Sequence, residues 1–228
     1  MHDRRRRLTS FIRDDVAYVA PMAVFLVMTQ AGVWWPALYP ASYIVKTLIV
    51  AGLLVLLWPH FSRIRWDFWW IGALTGVAGF AQWVGMENWL LSHWPNYPRM
   101  SVGLFNPFAE IHDPALRWSF IAVRWSAATL LVPVMEELFW RDFAWRTVLA
   151  PNNFKLAQVG ERDCKAWVLI AVLMLSVHVL WMTAIAWGLM IGALLMLTRS
   201  LGACIIMHGV TNFLLGLYVL RTGKWYFW

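Results

Sequence analysis

Long apolar runs separated by short polar segments are the feature that most constrains the fold of this chain. A helix that crosses a bilayer needs about 20 apolar residues, and the sequence predicts about seven such spans, with six to eight as the range. The predicted spans are residues 16–35, 43–58, 68–91, 117–140, 166–181, 183–198 and 201–220. We therefore expect an all-α, polytopic integral membrane helical bundle that forms a single domain over residues 1–228.

The apolar stretch that precedes the final span is predicted to form two helices. The run from Trp167 to Thr198 is too long for one upright helix. No Gly or Pro marks a turn within its middle, so we place the division between Trp181 and Thr183 on length alone.

Basic residues cluster between the apolar runs instead of following one surface stripe. The chain has 19 Lys and Arg against 12 Asp and Glu, and 13 of the 19 fall on the side that holds the N-terminus. Such a bias sets the orientation of membrane proteins. We expect a cytosolic basic segment over residues 1–15, a lipid bilayer as the surroundings, and no nucleic-acid partner.

Two adjacent glutamates fall inside the fourth predicted span, where an ionisable group costs about 2.5 to 3.5 kcal/mol. Glu137 and Arg141 are four residues apart, share one helix face and are expected to pair. Glu136 points elsewhere and is left as an unpaired carboxylate. The alternative is a helix that has reached the cytosolic interface and becomes charged there.

Two later spans carry imidazoles. His178 lies in an otherwise apolar run, and His208 and Asn212 share one face of the last span because they are four residues apart. Each of these could instead be a hydrogen-bonded contact between helices. At 1.5 Å per residue, however, Glu136, His178 and His208 reach compatible depths of about 12 to 20 Å. The depths predict one buried cavity that is open to the cytosol.

This set of groups fits the hydrolysis of a peptide bond without a covalent nucleophile. A carboxylate and an imidazole can deprotonate water, while a second imidazole and a carboxamide donate to the developing oxyanion. Glu136, His178 and His208 could alternatively bind zinc. Since HExxH is absent and Asn is a poor zinc ligand, we expect no cofactor and keep zinc as the minor alternative.

Three motifs carry a resemblance to a known family. EELFWR at 136–141 resembles the EExxxR motif of the CPBP family, which includes type II CAAX prenyl endopeptidases and Abi-type bacterial proteins linked to bacteriocin self-immunity. His178 matches the second motif, FxxxH, with Met174 in place of Phe, and HGVTN at 208–212 matches the third, HxxxN. Order and spacing agree over residues 117–215, which the resemblance marks as the catalytic core.

The resemblance implies an intramembrane endopeptidase that acts on a membrane-associated protein or peptide. It implies that Glu136 and His178 activate water and that His208 and Asn212 form the oxyanion site, with Glu137 and Arg141 in support. These roles are those of the matching residues in the family's motifs. The phrase VPVMEELFWRDF also resembles a bacterial subgroup associated with exosortase systems, which implies a bacterial inner (plasma) membrane and an exosortase association.

Three ionisable residues and two other functions stay open. Glu87 is expected to be solvated at the outer interface, with a supporting or substrate-recognition role as the alternative. Arg124 is expected to reach the outer interface by snorkelling, again with a functional alternative. Asp142 is expected to be solvated, with a role in the cavity as the alternative. One of the other functions is a non-catalytic CPBP-like scaffold or bacteriocin-immunity protein. The other is a proton-coupled transporter with Glu136 as relay. The lack of internal repeats disfavours the transporter.

Overall fold

Helices account for all the regular structure in the described part of the chain. The computed structural model describes residues 13–99 and 105–228, and these ranges hold eight helices and no strand. The helices are α1 (Asp14–Trp34), α2 (Tyr39–Leu57), α3 (Trp69–His93), α4 (Pro107–Glu110), α5 (Pro114–Leu149), α6 (Cys164–Ser176), α7 (Trp181–Thr198) and α8 (Leu201–Thr222). The predicted all-α membrane bundle is confirmed, while most of the predicted N-terminal segment 1–15 lies outside the described residues.

Five of these helices are long and apolar enough to cross a membrane: α1, α2 with the short turns on either side of it, α5, α7 and α8. α3 has 25 residues, which corresponds to about 37 Å, but it is less apolar than those five. Large apolar side chains on the outside of α1 and α2 are exposed, among them Val27 at 68% and Leu48 at 67%. A surface of this kind suits lipid, not water.

The predicted span at residues 166–181 is wrong in length. α6 ends at Ser176, where Val177 takes φ −121° and ψ 0° and leaves the helix. A helix over residues 164–176 is about 20 Å long, too short to cross a bilayer core of about 30 Å. Residues 177–180 form a non-helical break between α6 and α7, so the two predicted helices exist but divide earlier than expected.

Local sequence signals explain where the later helices begin. The side chains of Asp113, Asp163 and Ser200 each accept a hydrogen bond from a backbone N–H three residues on, and so cap the N-termini of α5, α6 and α8. The turn between α7 and α8 contains only two residues. It closes because Arg199 takes a left-handed conformation with φ 49°.

Close packing joins α3 to α8. A Cβ on Gly72 would lie 2.3 Å from the carbonyl oxygen of Ala203, and one on Gly76 would lie 2.7 Å from Cβ of Val210. Small residues allow such backbone approach between helices in membranes. Thr211 adds a hydrogen bond of 3.0 Å to the carbonyl of Gly76. α3 therefore holds the helix that carries His208 and Asn212.

Contacts between connecting segments identify the two ends of the bundle. At the end where α1 begins, here called the basal end, Lys155 bonds to Asp14 and Ser200 bonds to the carbonyl of Arg65. At the opposite, distal end, the loop after α3 covers the start of α7, since Trp181 Nε1 donates to the carbonyl of Pro98. The predicted site residues lie between these two ends.

Candidate active site

The glutamates of α5 lie between two π-helical segments, Ala127–Leu131 and Leu138–Ala144. Pro133 has no N–H, so a carbonyl in the preceding turn loses its helical partner. Asn212 Nδ2 donates to the carbonyl oxygen of Ala128 at 2.8 Å. π-helical turns are frequent at functional sites, and here the altered turn joins α8 to the segment that precedes the glutamates.

Glu137 is fully buried and joins two helices. Its Oε1 lies 2.8 Å from Nδ1 of His208, and its Oε2 lies 3.2 Å from Nε of Arg141, so the predicted ion pair between Glu137 and Arg141 is formed. Arg141 Nη2 lies 3.1 Å from Sδ of Met174. The ring of Trp187 packs 4.9 Å from the imidazole of His208, centroid to centroid. The contacts hold Glu137 and His208 together within the apolar interior.

Glu136 takes no part in the hydrogen bond that joins Glu137 to His208. It is 6% exposed, and its Oε2 is buried with no hydrogen-bond partner among the described residues. His178 interacts electrostatically with both Glu136 and His208, so the three predicted residues lie in one region of the bundle. His178 does not lie on a helix, as the sequence predicted, but on the break at 177–180, with its ring packed 5.7 Å from that of Trp83.

Both histidines are bonded through Nδ1 to groups that only accept hydrogen bonds. His178 Nδ1 lies 3.0 Å from the carbonyl oxygen of Met174, and His208 Nδ1 bonds to the Glu137 carboxylate. Nδ1 therefore carries the proton in each ring, and Nε2 of the neutral ring keeps its lone pair. Met174, which replaces the Phe of the second motif, supplies the backbone acceptor that sets this tautomer in His178.

Glu87 is buried completely, so its expected solvation at the interface is wrong. The Tyr97 hydroxyl lies 2.6 Å from both carboxylate oxygens, the Thr183 hydroxyl donates at 3.1 Å, and Arg99 Nη1 lies 3.9 Å away. Burial and the neighbouring Glu87 carboxylate raise the pKa of Tyr97. We call Glu87, Tyr97 and Thr183 the distal clamp, because they join α3, the following loop and α7.

Arg124 does not snorkel to an interface; it is 5% exposed. Its guanidinium donates to the carbonyl oxygen of Trp228 and lies 4.7 Å from the centroid of a Trp228 ring. Lys46 is a buried charged residue that was not predicted; it is 3% exposed on α2 and donates to Thr29 Oγ1 at 2.9 Å. Its position inside the predicted span 43–58 was the available signal.

Asp142 is not solvated either, since it has no exposed surface. It accepts hydrogen bonds from the Tyr18 hydroxyl at 2.7 Å and the Ser62 hydroxyl at 3.2 Å, and it pairs with Arg146. Arg146 also donates to the carbonyl oxygen of Ala157 at 2.8 Å. This basal network ties the start of α1 and the loop after α2 to the end of α5.

The alternative zinc site does not fit the side chains as placed. Among the described residues, no three His, Cys, Asp or Glu side chains are grouped so that they could hold a metal ion. Glu136, His178 and His208 share a region of the bundle without forming such a ligand set.

Comparison with known proteins connects this geometry to a family. Residues 118–214 match the family model described as Rce1-like, Type II CAAX prenyl endopeptidase Rce1-like. No curated protein and no solved structure matches the chain. The matched segment contains all three motifs, which confirms the resemblance to the CPBP family. Association with exosortase systems stays a prediction.

Proposed function

From the match of residues 118–214 to the family model of Rce1-like type II CAAX prenyl endopeptidases, we propose that this integral membrane protein is a glutamate-type intramembrane endopeptidase. It hydrolyses a peptide bond in a membrane-associated protein or peptide, with water as the nucleophile. The observation that carries the proposal is the buried Oε2 of Glu136, which has no hydrogen-bond partner among the described residues. Leaving a buried carboxylate oxygen unbonded is costly, and a water molecule beside His178 satisfies it.

Glu136 and His178 act together as the base. Because His178 Nδ1 donates to the Met174 carbonyl, Nε2 of the neutral ring is left as the hydrogen-bond acceptor. Water held between this lone pair and the Glu136 carboxylate gives up a proton to this pair as its oxygen bonds to the peptide carbonyl carbon. The pair then passes that proton to the amide nitrogen as the C–N bond breaks. The helix break at 177–180 supports this assignment, because non-helical backbone at membrane depth is tolerated only where protein buries it or where it lines a cavity.

His208 and Asn212 stabilise the oxyanion. Asn212 Nδ2 uses one N–H on the Ala128 carbonyl and has a second N–H available. His208 donates from Nε2 only when both ring nitrogens are protonated, and the Glu137 carboxylate at Nδ1 then balances the added charge. Arg141 holds Glu137 in turn. Hydrogen-bond donors that point at the developing negative charge contribute a large part of the stabilisation of the transition state in such catalysis.

Glu87 is a positioning residue in this proposal. Its carboxylate accepts from Thr183 just after the break at 177–180, and Trp83, one turn earlier on α3, packs against His178 inside the break. The distal clamp thus restrains both His178 and the start of α7. Arg124 contacts Trp228 and has no such link to the break, so we assign it a structural role at the distal end of α5.

The test uses purified protein in lipid nanodiscs and a pool of peptides from membrane proteins, with new peptide termini read by mass spectrometry. Glu136→Gln should lower the cleavage rate at least about 100-fold, since a positioned acid or base contributes about 10² to 10⁴. Glu110→Gln, at an exposed glutamate, is the matched control.

Three outcomes would contradict the proposal. Equal amounts of new peptide termini from wild type and Glu136→Gln would refute the mechanism. No new termini from wild type would favour the scaffold, and solute flux that depends on Glu136 would favour the transporter.

We also propose that the basal end faces the cytosol, which rests on the distribution of Lys and Arg. Cys164 is exposed at the basal start of α6, whereas Cys204 is buried. A membrane-impermeant maleimide added to intact cells should therefore leave Cys164 unlabelled until the membrane is opened. Labelling of Cys164 in intact cells would show that the basal end faces outward instead.

A further inference from the structure

A small cationic pocket lies at the basal end, away from the glutamates and histidines. Its volume is about 230 Å³, and it forms where three connecting segments meet: those after α2, after α5 and between α7 and α8. The lining residues are Arg63, Arg65, Gln158, Val159, Arg199 and Leu201. Three arginine residues therefore line one cavity, which is smaller than the sites of about 300 to 1,000 Å³ that hold drug-sized ligands.

Two of the three arginines in this arginine pocket have no ion-pair partner among the described residues. Arg65 pairs with Asp67, with Nε 2.8 Å from Oδ2. Arg63 and Arg199 line the same cavity as Arg65. Within residues 13–99 and 105–228, neither of them forms an ion pair. Two positive charges remain in excess, and they attract an anion to the cavity.

The backbone holds the pocket in place. The carbonyl oxygen of Arg65 accepts hydrogen bonds from Gly202 N at 2.9 Å and from Ser200 Oγ at 3.0 Å, so the segment after α2 is fixed to the start of α8. Gly160 lies against the end of α7, where an added Cβ would come within 2.8 Å of the Leu195 carbonyl. The arginines project from segments that are tied to helices.

Apolar and aromatic side chains near the pocket face outward. Trp66, Trp69 and Trp70 are 50 to 60% exposed on the segment that leads from Arg65 into α3, and Leu197, two residues before Arg199, is 75% exposed. Exposed Trp residues mark the level where the hydrocarbon of a bilayer meets its headgroups. The arginine pocket is therefore placed at the depth of lipid headgroups.

We propose that the arginine pocket binds the phosphate of an anionic phospholipid, whose acyl chains lie along the exposed Trp and Leu197 side chains. Guanidinium groups form paired hydrogen bonds with phosphate oxygens. A soluble phosphate offers the same oxygens, but it gains nothing from the apolar surface beside the pocket. The proposal does not depend on the proposed protease activity.

Native mass spectrometry of the detergent-purified full chain tests the proposal with phosphatidylglycerol, phosphatidylcholine and inorganic phosphate as probes. The variant Arg63→Gln/Arg199→Asn removes both unpaired charges, and Asn is chosen because it tolerates the left-handed backbone at 199. At about 1 kcal/mol for each basic residue near a membrane surface, phosphatidylglycerol should bind about 30-fold more weakly to the variant. Arg221→Gln, at an exposed arginine at the distal end of α8, is the matched control and should bind as wild type does.

Three results would overturn the proposal. The first is retention of phosphatidylglycerol by the double variant at wild-type affinity. The second is an equal loss in the Arg221→Gln control. The third is displacement of phosphatidylglycerol by inorganic phosphate at equal concentration, which would assign the pocket to a soluble anion. The single variants Arg63→Gln and Arg199→Asn, each expected to weaken binding about 5-fold, serve if the double variant does not fold.

Discussion

Replacement of Glu137 by Gln tests whether the buried pair with Arg141 stabilises the bundle. Arg141 has no exposed surface, and besides Glu137 its guanidinium contacts only the Met174 sulfur and the Trp187 ring among its described partners. A thioether is a weak acceptor. Glu137→Gln therefore leaves a buried cation without a counter-charge.

The magnitude follows from this burial. Removing one partner of a buried pair costs about 3 to 5 kcal/mol. The amide oxygen of Gln can still accept from His208 Nδ1, so the loss should lie near the lower end, at about 3 kcal/mol. For a chain of this size 1 kcal/mol corresponds to a shift of about 2 to 4 °C, and Glu137→Gln should lower the Tm by about 6 to 12 °C.

Thermal unfolding of the detergent-solubilised protein measures the shift, with Glu110→Gln as the exposed control. The double variant Glu137→Gln/Arg141→Met removes the uncompensated charge as well as the pair, so it should lose less stability than the two single variants added together. A Tm for Glu137→Gln within about 2 °C of wild type, or strictly additive losses, would show that the pair contributes no such stability.

Three further variants and one control variant test other contacts. Gly72→Val should destabilise the protein by about 1 to 3 kcal/mol, because its side chain meets the α8 backbone, whereas Gly52→Ala meets no atom within 4 Å and should be neutral or slightly stabilising in the same unfolding assay. Asp142→Asn should cost about 3 kcal/mol by unpairing the basal network, and an unchanged Tm would contradict this. Tyr97→Phe should slow cleavage and speed hydrogen exchange near His178 with little change in Tm, and unchanged exchange there would disconnect the distal clamp from the break.

The sequence was enough to predict the long helices, because apolar runs of the right length have few alternatives in a membrane. The last predicted span, 201–220, matches α8 at Leu201–Thr222 within two residues. The end of α6 could not be predicted in this way, since the apolar run continues through the break at 177–180. Contacts with α3 accompany that break, since Trp83 packs on His178 and Gln82 Nε2 donates to the Thr183 carbonyl at 3.3 Å.

The environment of ionisable residues was harder to predict than their depth. Glu87 and Asp142 lie near helix ends, where solvation is the ordinary outcome, yet both are fully buried. Tyr97 and Tyr18 supply their hydrogen bonds from segments 10 and 124 residues away in sequence. Depth along one helix carries no information about which loop folds over its end, so this part of the site needed the structure.

The two adjacent glutamates separate catalysis from stability. Helix geometry predicts that their side chains diverge, but it does not say which imidazole each one meets; the structure pairs Glu137 with His208, while Glu136 interacts with His178. Glu136→Gln should therefore lower the cleavage rate at least about 100-fold and leave the Tm unchanged, whereas Glu137→Gln should lower both the rate and the Tm. If instead Glu137→Gln abolished cleavage at full stability while Glu136→Gln remained active, the base would be Glu137, and His208 would take the role assigned to His178.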